Sequence, residues 1–438
     1  VHKGLIYVGL SPRRYVGSAG EEQVVDVKVV DLEQAPVADQ EVEVVFLKRS
    51  WYSAQKEGPD GRWYWEWEVE ETPVDTTTVR TDGKGNAEAT FVPEEGGSYK
   101  VRAIARDERG NEVRSAAYFW VSSAEWISWR RENHDRIELI ADKDEYQVGD
   151  TAEILVPSPF RGPVKALLTV ERGEILQHRV LTLEGNSEIV RVPIVEPHVP
   201  NVFVSVVLVK GVDDSNPLSS FKMGYVALPV SIAPKVLEVT LTPDLDVAGG
   251  EHYGPRDTVS YEVQVTDQSG QGVETELSLD LVDLSVLALT GGDRGISLED
   301  QFYYQRGIGI QTSSSLVVSI DRVAAELPVD EGKGGGGGGP VGEGVVRTQF
   351  ADTAYWNPAV RTDASGRATV EVVLPDNLTT WRLRGRGVTV DTLVGEGTVD
   401  VLSTLDLLVR TVAPRFFVVG DRATPVSYTH LRAHETVR

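Results

Sequence analysis

Val79-Arg80-Thr81-Asp82-Gly83-Lys84-Gly85-Asn86-Ala87 and Val360-Arg361-Thr362-Asp363-Ala364-Ser365-Gly366-Arg367-Ala368 are one pattern written twice in one chain. Each reads as a strand running into a tight turn. The Asp side chain accepts from the turn amides, and Gly takes the positive φ that returns the chain antiparallel. Pro93 and Pro375 follow the two copies. Each is then succeeded by an aromatic residue with alternating basics, Tyr99-Lys100-Arg102 and Trp381-Arg382-Arg384. The pattern predicts the same hairpin in two separate modules.

Working outward, period-two alternation is pervasive: Val25, Val27 and Val29; Val101; Val259, Tyr261, Val263 and Val265; Val370 and Val372. Turn residues punctuate these runs every eight to twelve residues or so, and long amphipathic helical stretches are absent. The expectation is an all-β chain of tandem antiparallel β-sandwiches.

A second repeat sets the module length. An apolar strand, an aromatic residue, a Gly or Asp and a further strand recur at Val8–Gly17 (Tyr15), Ile137–Asp150 (Tyr146), Val239–Asp257 (Tyr253) and Leu407–Asp421 (Phe417). Modules of about 100–120 residues explain the first two aromatic spacings. The third is too long by about 50 residues, and the excess falls where alternation fails, from about Gly292 to Val345. The expected domains are 1–122, 123–233 and 234–402, the last interrupted at about 292–345. After these come the start of a further domain at 403–425 and a tail at 426–438.

The interruption carries nine glycines between Pro328 and Val345, with an unbroken run from Gly334 to Gly339. Glycine loses the most freedom on ordering and brings no side chain to offset it, so the segment is expected to stay open to solvent and to proteases. A glycine run is commonly a mere linker. A linker falls between complete domains, whereas this run interrupts one.

The chain has 438 residues, 41% hydrophobic and 25% charged, with a formal charge of −24. That charge argues against nucleic acid or an anionic membrane as partner, because phosphates would be repelled. No eighteen-residue apolar run exists to span a bilayer. Without cysteine there is no disulfide, thiolate metal site or cysteine nucleophile. The opening Val1-His2-Lys3-Gly4 lacks an initiator Met, which reads as a fragment of a longer protein. Val426–Thr436 shows no strand pattern and matches a translated sequencing adapter, so His430 and His434 are not read as a metal pair despite their spacing.

Phe350-Ala351-Asp352-Thr353-Ala354-Tyr355-Trp356-Asn357-Pro358, then Asp363-x-x-Gly366, then Pro375-Asp376-Asn377-Leu378-Thr379-Thr380-Trp381 resembles the segment following the bait region in the alpha-2-macroglobulin family. The resemblance covers Lys235–Pro425 well and the earlier domains more weakly. It implies fibronectin-like or immunoglobulin-like macroglobulin sandwiches, one carrying an inserted bait region. It further implies a bacterial-type protease inhibitor and not an enzyme, outside the cytoplasm, with endopeptidases as partners and no cofactor. The family's Cys-Gln thioester would lie downstream of this chain, so zero cysteine leaves its presence in the parent open. Anchoring of the parent to a membrane through a missing N-terminus is equally open.

A bait needs scissile bonds for several protease classes. Candidates are Phe302, Tyr303, Tyr304, Arg306, Arg322, Val323, Ala324, Ala325, Lys333 and Arg347; Ser319–Leu327 could alternatively form a short helix. The competing class is a surface adhesin or stalk whose glycine run is only a spacer. Asp142, Asp144, Glu145, Asp244 and Asp246 read more readily as solvated loop carboxylates than as a Ca²⁺ site. Trp51, Trp63, Trp65 and Trp67 read as a core or sheet-packing layer, since 63, 65 and 67 share a face.

Overall fold

The computed structural model describes residues 4–57, 63–129, 134–214, 219–247, 251–289, 297–310, 351–405, 407–412, 420 and 426–431. The first sandwich comprises β1 (Ile6–Pro12), β2 (Val16–Ser18), β3 (Gln23–Asp31), β4 (Glu41–Glu57), β5 (Trp63–Arg80), β6 (Asn86–Phe91), β7 (Gly97–Arg106) and β8 (Glu112–Ser122). A three-stranded sheet, β1-β3-β6, faces a five-stranded sheet, β2-β8-β7-β4-β5. Their inner faces meet in a core of Val25, Val27, Val44, Phe46, Tyr99 and Phe119, the alternate residues that the period-two pattern selects.

The second sandwich holds β9 (Ile140–Ala141), β10 (Thr151–Pro157), β11 (Val164–Arg172), β12 (Glu174–Leu183), β13 (Ser187–Pro193), β14 (Asn201–Lys210) and β15 (Ser220–Pro229). Its sheets run β13-β10-β9 and β12-β11-β14-β15. Both sandwiches lie in one compact unit, and the third sandwich lies in another.

That third sandwich begins with β16 (Glu238–Pro243), β17 (Thr258–Thr266) and β18 (Glu276–Asp283). Two short helices follow, α1 (Leu284–Leu289) and α2 (Leu298–Phe302). It resumes with β19 (Thr353–Arg361), β20 (Arg367–Val373), β21 (Thr380–Val388) and β22 (Val394–Leu402). Its sheets are β16-β17-β20 and β19-β18-β21-β22, so each mixes strands from before and after the interruption. Val259, Tyr261, Leu277 and Leu279 share one core with Val370, Val372, Trp381 and Leu383. Neither half could bury its apolar face without the other.

The recurring tyrosines have a common role. Tyr146 is fully buried and bridges in parallel to Val230; Tyr253 does the same to Ser403, and the β2 strand after Tyr15 pairs in parallel with the end of β8. In each case the turn aromatic lays the chain beside the last strand; Tyr146 and Tyr253 are buried there, whereas Tyr15 is half-buried and packs with Val16, Ile140 and Leu155.

The repeated hairpin is also one structure. Asp82 Oδ1 accepts from the amides of Lys84 and Asn86, and Asp363 Oδ1 accepts from those of Ser365 and Arg367. Gly85 and Gly366 have φ of 73° and 76°. Thr81 Oγ1 accepts from Gln40 N and donates to Val37 O; Thr362 Oγ1 accepts from Thr275 N and donates to Val273 O. Asp107 and Asp267 build two further turns of this kind.

Two expectations are corrected. Residues 426–431 form a strand, β24 (Val426–Leu431), paired antiparallel with β23 (Leu407–Val412) from Val412↔Val426 to Leu407↔Leu431. Val426, Tyr428 and Thr429 are good strand formers, and a ladder asks only for backbone groups. His430 therefore sits on a strand, and His434 lies outside the described residues. The tryptophan layer also differs. β4 and β5 are 17 and 18 residues long and outrun the sandwich, so no β4 residue beyond Phe46 joins the core. Trp67 is 40% exposed and packs edge-on to Trp51, with ring centroids 5.1 Å apart; the side chains of Trp63 and Trp65 lie outside the described residues.

Candidate functional site

The interruption leaves the third sandwich after β18 and returns at β19, and Asp283 closes that neck. Its amide donates to Asp352 O at 3.0 Å, joining the departing chain to the returning one. Its Oδ1 accepts from Ser285 N at 2.8 Å, Ser285 Oγ at 2.6 Å and Thr379 Oγ1 at 2.9 Å. Asn377 Nδ2 also donates to Ala351 O at 3.3 Å. Burial pushes the Asp283 carboxyl up, but these donors, with Asn377 among them, outweigh it and hold it below the ordinary carboxylate value. Asp283-Leu284-Ser285 is a local capping signature that the sequence reading passed over.

The motif after the interruption thus divides by role. Asn377 and Thr379 grip the neck. Asp376, itself buried, takes a bidentate contact from Arg256 (Nε–Oδ1 2.8 Å, Nη2–Oδ2 3.1 Å), and this raises the guanidinium pKa. Trp381 is fully buried in the core, while Pro375 follows Leu374, whose amide donates to Asp257 O. Asp363 and Gly366 build the hairpin. Thr353, Trp356 and Pro358 lie on β19, the sheet's edge strand, where Trp356 is 67% exposed. Phe350 lies outside the described residues.

The cleavage candidates separate as well. Ser297 Oγ caps α2 by accepting from Asp300 N, and Phe302 ends that helix. Tyr303 donates to Thr392 Oγ1 at 3.0 Å; Tyr304 is exposed. Arg306 is held by its backbone: its amide donates to Asn201 Oδ1 at 2.8 Å, and its carbonyl accepts from Asn201 Nδ2 at 2.9 Å. Two residues on, Ile308 O accepts from Gly173 N. A Cβ on Gly309, where φ is +65°, would stand 3.0 Å from Gly173 Cα, so that approach requires a glycine. Phe302, Tyr303 and Arg306 therefore belong to a bonded flank and not to a freely displayed strand. Nothing in the alternation around Asn201 signalled this. Arg322, Val323, Ala324, Ala325, Lys333 and Arg347, and the helix weighed at Ser319–Leu327, lie outside the described residues.

Three of the five acidic candidates are engaged by tyrosines, and Asp142 is buried, not solvated as expected. Asp142 accepts from Tyr146 OH at 2.9 Å, Asp144 from Tyr15 OH at 2.9 Å and Asp244 from Tyr253 OH at 2.7 Å. Among the described residues no group of three or more His, Asp or Glu is placed to hold a metal, and no helix is long and apolar enough to cross a membrane.

This is a string of β-sandwiches, one of them interrupted by a segment whose two ends are clamped together. Three family models match in series: "Bacterial macroglobulin domain 6" over residues 9–126, "Alpha-2-macroglobulin bait region domain" over 137–289, and "Alpha-2-macroglobulin family" over 353–427. The second match stops, and the third begins, on either side of the interruption. An alpha-2-macroglobulin homolog of Nostoc is 26% identical over 93% of this chain and 21% of its own length; the Ralstonia nicotianae alpha-2-macroglobulin is 29% identical over 81% and 22%. The crystal structure of Salmonella alpha-2-macroglobulin reacted with methylamine covers 95% of this chain and 26% of its own, at 16% identity and a TM-score of 0.40. The chain belongs to the alpha-2-macroglobulin family and spans about a fifth of the length of these curated relatives.

Proposed function

We propose that this chain is the bait-bearing segment of a protease-trapping inhibitor, acting outside the cytoplasm on endopeptidases and performing no catalysis of its own. The observation that carries the reading is the neck. Strands from both sides of the interruption fill one core, and Asp283 ties the two ends of the interrupting segment together. A cut within the segment therefore leaves both new ends attached to a folded sandwich, as a trap requires and a spacer does not. The family model named for a bait region, ending at residue 289, supports the same reading.

We place the scissile bonds between Arg322 and Arg347, downstream of the bonded flank, where the glycine run gives reach into a protease cleft. Protease clefts bind their substrates extended, by strand addition, and cleavage within a sandwich strand would first require local unfolding. The test uses the full-length parent protein. After limited trypsin or elastase treatment, a single cut between Arg322 and Arg347 should precede a change of shape in small-angle scattering. The protease should co-elute with the inhibitor, blocked toward large substrates yet active on small ones. A protease that elutes free and fully active after that cut refutes trapping and leaves the adhesin or stalk reading.

A further inference from the structure

A cleft of about 1240 Å³ lies in the unit formed by the first two sandwiches. That exceeds the roughly 300–1,000 Å³ of a site for one drug-sized molecule, so the space suits an oligomer. Its floor is the outer face of the five-stranded sheet. Beyond Phe46 the residues of β4 that alternate with the core-facing ones are Leu47, Arg49 and Trp51, and on β8 Tyr118 and Trp120 share that face. Trp67, on the overlong hairpin, extends the floor, and the second sandwich and the connection into it supply Trp129, Arg136, Phe160 and Arg161 opposite.

Two properties set this surface apart. It is rich in partly exposed aromatic rings: Trp67 and Tyr118 are 40% and 38% exposed, with Trp51, Trp120 and Trp129 half-buried. It is also basic in a chain of charge −24: Arg49, Arg136, Arg161, Lys210 and Lys222 line it against one carboxylate, Glu138. Carboxylates near the cleft answer three of these, Glu71 pairing with Arg49, Asp213 with Lys210 and Asp135 with Lys222. Arg136 and Arg161 form no ion pair among the described residues, although Arg161 lies 5.7 Å from the Trp126 ring centroid.

We propose that this cleft binds a linear carboxylated oligosaccharide. Pyranose rings present flat C–H faces that pack on aromatic faces, whose electron-rich surface favours the positive C–H edge. Carboxylates on the sugar chain are what a planar guanidinium receives in bidentate fashion. An acidic peptide offers the same charge but carries a backbone needing a sheet edge for its amides. The floor here is a sheet face, and the edge of β15 is occupied where it passes Met223: Ile137 N donates to Met223 O, and Met223 N donates to Asp135 O. The site is separate from the neck of the interrupted domain, and its failure would leave the trapping reading untouched.

The test is a fluorescence and calorimetric titration of the full chain with hexagalacturonate, with xylohexaose and hexaglutamate as comparators. We expect saturable tryptophan quenching by hexagalacturonate, at least tenfold tighter than by either comparator. Trp67→Ala and Arg161→Ala should each weaken it at least tenfold. Both side chains are peripheral to the cores, and circular dichroism checks that the variants fold. The Arg161→Ala complex should also lose part of its salt dependence, which a merely structural effect would not produce. Equal binding of hexaglutamate would replace the saccharide with an acidic peptide and overturn the proposal. So would binding unchanged in both variants, or no saturable signal at all.

Discussion

Thr362 Oγ1 accepts a hydrogen bond from the amide of Thr275 at 2.8 Å, and the same hydroxyl donates to Val273 O at 2.9 Å. One buried side chain thus fastens the half of the third sandwich before the interruption to the half after it. Thr362→Val keeps the shape but leaves the buried Thr275 amide unpaired, at a cost of about 1–3 kcal/mol, while Val273 O keeps the Thr275 hydroxyl as a donor at 3.2 Å. Urea denaturation should show that loss, with Thr362→Ser recovering most of it. A Val variant as stable as the parent would mean that the hydroxyl contributes nothing across the join.

The hairpin glycines separate conformational strain from steric conflict. Gly366 has φ +76° and a Cβ there would stand 2.1 Å from Val265 O, backbone that cannot swing aside. Gly110 has φ +77° with nothing within 4 Å. Gly110→Ala should cost only the left-handed penalty, about 1–2 kcal/mol. Gly366→Ala should cost clearly more, because the strands must also part. Thermal midpoints of the two variants, compared side by side, decide the matter, and equal shifts would contradict it.

These two positions also show why part of the molecule was legible beforehand. Asp82, Gly85, Asp363 and Gly366 carry turn chemistry that acts within four residues, so the sequence displays it directly. Valine alternation likewise betrays Val25, Val27 and Val29, because burial on one face has period two. The neck was not legible. Asp283, Ala351 and Thr379 are brought together only by the pairing of β18 with β19 and β21. The same is true of Asn201 and Arg306, which lie 105 apart. Trp51 and Trp67 were misread because alternation tells which residues share a face and not whether another sheet covers it.

Asp283 gives the neck a pH dependence with a definite sign. Its folded pKa lies below the ordinary carboxylate value. The stability it contributes is therefore fully present above the unfolded carboxylate pKa of about 4. It is lost as pH falls through the lower folded value. The protection factors of the amides that hold the neck, which correct for the intrinsic slowing of exchange in acid, should fall on acidification through that window. Asp283→Asn, which cannot charge, should be less stable than the parent at neutral pH and should flatten the profile. A parent profile already flat between pH 5 and pH 2 would show that Asp283 does not control the neck.

Asn201 makes a last, kinetic prediction. Its side-chain amide holds both backbone groups of Arg306, and Gly173 holds Ile308 two residues on. A protease must draw several residues around Arg306 into an extended conformation, so the peptide has to leave this seat before trypsin can cut after it. In the parent chain Arg306 should accordingly be cut more slowly than the basic sites between 311 and 350. Asn201→Ala removes two hydrogen bonds worth about 1 kcal/mol each. If the opening equilibrium governs the rate, cleavage after Arg306 should rise roughly tenfold or more, while cleavage at Arg322 is unchanged. Mass spectrometry of early trypsin digests resolves the two sites in one sample, so a general loss of stability, which would accelerate both, is distinguished from release of the flank alone. Equal acceleration at both sites, or none at Arg306, would mean that Asn201 does not guard this bond.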